Sequence, residues 1–262
     1  MRVELKIAPV VVLCAAGPGL AQQISVPDFR MQVPSQQAVE AQKKLKEAQK
    51  KLAEDEFVEA AKKFEEVLAM DPTLMMAYHG LGTARMATKE YPAAVTAFEN
   101  AKGAFLARAD EYKKRAQDSE ATRIARIRVL EEKLRNTPEV TGTSNRQESL
   151  MRQEWQAELA GLQSASRSGS GTAGPPAGLL LSLGSAYFRT GRIADAEREY
   201  RAAIEANPKL GEARVNLAVV LLMTGKPAEA KVEVTEAKKA GAKVPPGLEK
   251  DIDAAIEKAK AS

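Results

Sequence analysis

The sequence predicts an all-α protein, on three observations. Ala, Glu, Lys, Arg and Leu dominate, with 28% charged and only 5% aromatic residues, a composition that favours helix. Alternating β-branched runs are nearly absent beyond the first fifteen residues, so no sheet is expected. Apolar residues recur at three- and four-residue spacing in short segments, each closed by Gly, Asp-Pro or Asn-Pro. Short helices of this kind cannot bury their faces alone. The expected architecture is a solenoid of stacked helix pairs, interrupted by a long helical hairpin and closed by a capping helix.

Residues 1–21 read as an export signal. Arg2 and Lys6 form a short basic region, an apolar stretch runs from Ile7 to Leu20, and Gly19-Leu20-Ala21 offers small residues for cleavage. The stretch falls short of the roughly 20 apolar residues a membrane span needs. The one cysteine, Cys14, lies inside it, behind Leu13, where lipidation would favour a small residue. A chain cleaved after Ala21 has no cysteine, hence no disulfide and no thiolate ligand for a metal. Its expected location is periplasmic or secreted, in a bacterial envelope setting, without an integral membrane span. Residues 22–40, rich in Gln and carrying Pro27 and Pro34, read as an extended tether.

The helix pairs come next. In residues 41–74, Phe57, Ala60, Phe64 and Val67 lead to Asp71-Pro72, whereas Glu47 stands where an apolar residue is expected. In residues 75–108, Tyr78, Leu81 and Gly82 lead through a turn to Tyr91, Ala94, Phe98 and Ala101. In residues 177–210, Leu180, Leu183, Tyr187 and Phe188 form one helix, Thr190-Gly191 ends it, and Ala196, Tyr200 and Ala203 line a second that stops at Asn207-Pro208. In residues 211–244, Leu217-Ala218 leads to Gly225, Ala230, Val234 and Ala237. Ala60 and Ala94 stand 34 residues apart, as do Ala196 and Ala230. Pro246 to Lys260, with Leu248, Ile252 and Ile256 on one face, supplies the cap within residues 245–262.

Between the two pairs of repeats the helical pattern runs on. From Pro92 to about Asn136 there is no further proline, which predicts a helix of roughly 65 Å. Ile124, Ile127, Leu130 and Leu134 form a narrow apolar stripe along it. A second helix is expected from Ser144, capped with Gln147, with Met151, Trp155, Leu159 and Leu162 as the matching stripe and Trp155 packed inside the hairpin. This hairpin spans residues 109–163, and the Gly/Ser/Pro-rich residues 164–176 read as a flexible linker. Stacking all four repeats into one solenoid buries more core than two separate lobes.

The 34-residue period, the Leu-Gly pair, the Ala-x-x-x-aromatic spacing and the closing Pro resemble the tetratricopeptide repeat. The resemblance covers residues 41–108 and 177–244. It departs from the family pattern at Arg85 and Val234, where aromatics are usual, and in the missing closing Pro of the second and fourth repeats. It implies a concave groove, lined by the leading helix of each repeat, that holds a peptide or protein segment. The groove residues it implies are Met76, His79, Thr83 and Met86; Leu181, Ser185, Phe188 and Arg189; and Glu212, Val215, Asn216, Val219 and Leu222. Asn216 matches a position where the family often has an Asn contacting peptide backbone; Gly80 and Ser182 stand at the equivalent positions. The paired Lys and Arg that clamp a C-terminal carboxylate in some relatives are not present as a set.

Catalytic and metal chemistry have little to draw on. His79 is the one histidine, with no nucleophile-elbow pattern near it. "GSGTAG" at residues 169–174 follows no strand and lacks the Lys of a phosphate loop. The net charge of +4 is a small excess over mixed charges, with no aromatic residues interleaved among the basic ones, which argues against nucleic acid. The expected protein is a non-enzymatic scaffold without metal or cofactor, binding a protein or peptide partner that the sequence does not name. A second reading takes the charged hairpin as a coiled-coil element of self-association.

Overall fold

The computed structural model describes residues 36–137, 146–164 and 174–260. Among them lie ten helices and no strand: α1 (Gln36–Ala53), α2 (Phe57–Met70), α3 (Met75–Ala87), α4 (Tyr91–Asn136), α5 (Arg146–Ser164), α6 (Ala177–Arg189), α7 (Ile193–Ala206), α8 (Gly211–Met223), α9 (Pro227–Lys239) and α10 (Pro246–Lys260). The export segment, the body of the linker, and the Ser144 cap all fall outside the described residues.

The helices pack in series: α1 on α2, α2 on α3, α3 on α4, then α4 on α6, and onward through α7, α8 and α9 to α10. The stack passes directly from the second repeat to the third, while α5 packs on α4 alone. The protein is therefore a single helical solenoid of repeats with the α4–α5 hairpin standing out from it.

The repeated residues make the contacts their spacing demands. Ala60, Ala94, Ala196 and Ala230 are buried, as are Phe64, Phe98, Tyr200 and Val234. Small residues let paired helices approach, and the large ones fill the space between them. Gly80 shows how close this is: a Cβ there would lie 2.2 Å from the Phe64 ring. The chain leaves the leading helices through left-handed residues: Asp55 (φ 60), Lys89 (φ 65), Gly191 (φ 77) and Gly225 (φ 74).

Three expectations need correction. α1 begins at Gln36, inside the stretch expected to be an extended tether, and the Gln37 amide donates to the Met70 carbonyl at 3.0 Å. Its buried stripe is Ala41, Leu45 and Ala48, which turns Glu47 outward to pair with Lys63 at 3.7 Å. In the hairpin, Leu130 is fully buried, but Ile124 is 38% and Met151 39% exposed. Two helices alone have no third surface to cover both stripes. Arginines stitch the hairpin instead. Arg126 pairs with Glu158 at 2.7 Å, Arg123 donates to the Leu162 carbonyl, and Arg152 donates to the Leu134 carbonyl at 3.0 Å and to the Thr137 carbonyl. Trp155 is half-buried with the Lys133 ammonium 5.2 Å above its ring.

Candidate functional site

The leading helices α3, α6 and α8 carry the candidate groove residues, spaced along each helix so that they share one face. Met76, at the start of α3, is 51% exposed. Met86, Leu181, Phe188, Val219 and Leu222 are half-buried, their inner sides packed against the same core cluster. Beyond Leu222, Met223 ends α8 with 60% of its surface exposed. Val215 belongs elsewhere: it is packed within that core, with only 9% of its surface open, and offers a ligand little contact.

The polar residues on this face are mostly committed to their own helices. Thr83 donates its hydroxyl to the His79 carbonyl, Ser185 to the Leu181 carbonyl and Ser182 to the Gly178 carbonyl, each at 2.9 Å. Such back-bonding uses up the hydroxyl proton and leaves only acceptor lone pairs. Ser185 spends one of these on the buried Tyr200 hydroxyl, which donates to it at 3.3 Å. Asn216 is a further polar neighbour of that hydroxyl, whose proton is held more tightly than usual chiefly because of burial.

His79 sits where α3, α4 and α6 meet. Its ring lies 5.5 Å from the Phe98 ring, tilted by 53°, and its Nε2 is 3.5 Å from the Ser182 hydroxyl. Burial disfavours the charged imidazolium and lowers the pKa below the ordinary histidine value. The Ser182 hydroxyl donates its proton to the Gly178 carbonyl rather than to this imidazole.

Arg189, exposed at the end of α6, lies over the Tyr91 ring with its guanidinium carbon 5.8 Å from the centroid. Arg85, standing where the repeat pattern expects an aromatic, bonds instead to Glu65 and, at 2.8 Å, to Glu90.

A second concavity escaped the sequence reading. A cleft of about 880 Å³ lies between the α2–α3 loop and α4 where it outruns the stack, lined by Leu74, Met75, Met76, Tyr78, Phe105 and Arg108, among others. Its lining comes from the α2–α3 loop, the start of α3 and the middle of α4, so the pattern of no single segment encodes it.

Among the described residues, no group of three or more His, Cys, Asp or Glu could hold a metal ion, and no helix is long and apolar enough to cross a membrane.

The tetratricopeptide repeat family profile matches residues 181–239, which span α6 to α9. No curated protein matches the chain. Among solved structures, PilW, a type IV pilus biogenesis factor, is 16% identical with a TM-score of 0.40, over 84% of this chain and 88% of its own. A thermophilic tetratricopeptide protein of Thermus thermophilus is 16% identical with a TM-score of 0.36, over 82% and 98%. YrrB, a tetratricopeptide protein with an unusual peptide-binding site, is 14% identical with a TM-score of 0.27, over 75% and 84%.

Proposed function

We propose that this chain, a tetratricopeptide-repeat protein, is a non-enzymatic scaffold that holds a peptide or protein segment against the leading helices of its repeats. The observation that supports this reading is the row of Met86, Phe188 and Leu222, one residue from each of three successive repeats, each packed inward yet open outward. Unbranched and aromatic side chains in such a row adapt to an incoming apolar surface. The proposal includes export, on the basic, apolar and small-residue pattern of residues 1–21. A mature protein whose mass starts at Gln22 supports that part; a cell-retained protein still starting at Met1 overturns it.

Cross-linking mass spectrometry in the source cells tests the groove, with a Met76→Ala, Phe188→Ala, Asn216→Ala variant as control. Links to other proteins that concentrate on residues 75–108 and 177–244, and vanish in the variant, support it. Links confined to copies of residues 109–163 sink it.

That outcome would favour a second reading, for which the exposed Ile124, Val129, Leu150 and Met151 of the hairpin speak. In it, the hairpin joins copies of the chain. A mass by light scattering that rises with concentration, and falls to one chain with Ile124→Glu and Val129→Glu, would support it.

A further inference from the structure

We infer that the segment held in the groove carries an acidic side chain next to large apolar ones, and that Arg189 receives the acid. The inference rests on the groove reading above. It comes from the pairing of the arginines. Along α6 to α9, Arg192 pairs with Asp195 at 2.7 Å, Arg198 with Asp195 at 2.8 Å, Arg201 with Glu197 at 2.9 Å and Arg214 with Glu233 at 2.8 Å. Arg189 has no carboxylate partner among the described residues. Its guanidinium is held over Tyr91 rather than left to wander. An aromatic platform of this kind orients the planar fork and leaves its N–H donors free for a carboxylate.

The surroundings narrow the partner further. Phe188 precedes Arg189, and Met86 and Leu222 hold the same place in the neighbouring repeats, so apolar contacts flank the cation. Thr83, Ser182 and Ser185 have already donated their hydroxyl protons to helix carbonyls. Arg189 is an exposed charged donor on this face. Glu212, exposed in the first turn of α8, acts with Arg189 on the Tyr200 hydroxyl and disfavours an acid at its own end of α8. A side-chain carboxylate flanked by Leu, Met or Phe fits both the charge and the apolar row.

A random dodecapeptide library displayed through its C-terminus, so that only side-chain acids are free, tests this against the full chain. Wild-type protein should enrich peptides with Asp or Glu beside a large apolar residue. Arg189→Glu should switch the enriched residue to Lys or Arg, and Arg189→Gln should weaken the selected peptide by about tenfold or more. Melting temperature checks that each variant is folded. Enriched peptides without an acid, or a selection unchanged by Arg189→Glu yet lost with Phe188→Ala, overturn the inference and leave the groove standing. Peptides that bind Arg189→Glu and Phe188→Ala as well as wild type, or no enrichment at all, overturn the groove reading and this inference with it.

Discussion

Gly184 lies against Tyr200 so closely that a Cβ on the glycine would stand 2.7 Å from the tyrosine Cε1. Tyr200 is only 2% exposed and has nowhere to withdraw. Gly184→Ala should therefore lower unfolding stability by about 1–3 kcal/mol, the usual cost of overpacking. Thirty-four residues on, the same two places hold Ala218 and Val234, both buried. Bulk added on one side has been matched by bulk removed on the other. Val234→Phe alone should destabilise, and Ala218→Gly should recover part of the loss. Urea unfolding of the two single variants and the double one measures this coupling, which two independent sites would not show.

The junction between the second and third repeats depends on a charge. Glu199 on α7 is 1% exposed, and the Lys102 ammonium on α4 meets it at 2.6 Å. Arg198 supplies a looser contact at 3.3 Å. Lys102→Met strips the buried carboxylate of its closest partner and should cost about 3 kcal/mol. Adding Glu199→Gln to it should restore part of that, since a neutral amide needs no cation. Chemical denaturation separates the two, and equal stability of the single and double variants would refute the account.

Stability should depend on pH between about 7 and 5 through His79, the one histidine. Burial lowers its pKa in the folded chain, so the unfolded chain takes up the proton first as pH falls below about 6.5. The folded state is thus penalised as pH drops from that value toward the lower folded one. Asp195, Glu197 and Glu236 are held below the ordinary carboxylate values by hydrogen bonds and charges from Arg and Lys, so their contribution is present above those values and is lost as pH falls through the lowered ones. Urea midpoints should slope with pH in wild type over this window and flatten in His79→Phe.

Lys89 occupies the left-handed turn after α3 with φ 65, where the corresponding turns after α6 and α8 have Gly191 and Gly225. A side chain there costs roughly 1 kcal/mol that glycine avoids. Lys89→Gly should raise the melting temperature by a few degrees. A lower melting temperature would show that the lysine side chain makes up the difference.

Much of this fold is legible in the sequence because the repeat writes its contacts locally. The spacing of Ala196, Tyr200 and Ala203 predicts a helix to Ala206, and Pro92 with its long unbroken pattern predicts a helix to Asn136; α7 and α4 end there. What depends on geometry across the stack is less legible. Val215 looks like a groove residue by position, yet it is packed into the core. Glu47 looks like a defect in the first repeat, yet α1 starts earlier and turns Leu45 inward instead. The cleft beside Phe105 draws its lining from the α2–α3 loop, α3 and α4, and the free state of Arg189 depends on where every nearby carboxylate already points. Neither is a property of one segment.

The unbroken course of α4 joins two parts that a loop would have kept mechanically separate. Its first turns hold Ala94 and Phe98 in the core, and the same rod continues through Asn136. Some thirty residues beyond the stack make a lever of about 45 Å. A tilt of about 5° at its root sweeps the far end through about 4 Å. Whatever takes hold of the hairpin therefore pulls on the bed in which His79 and Phe98 lie.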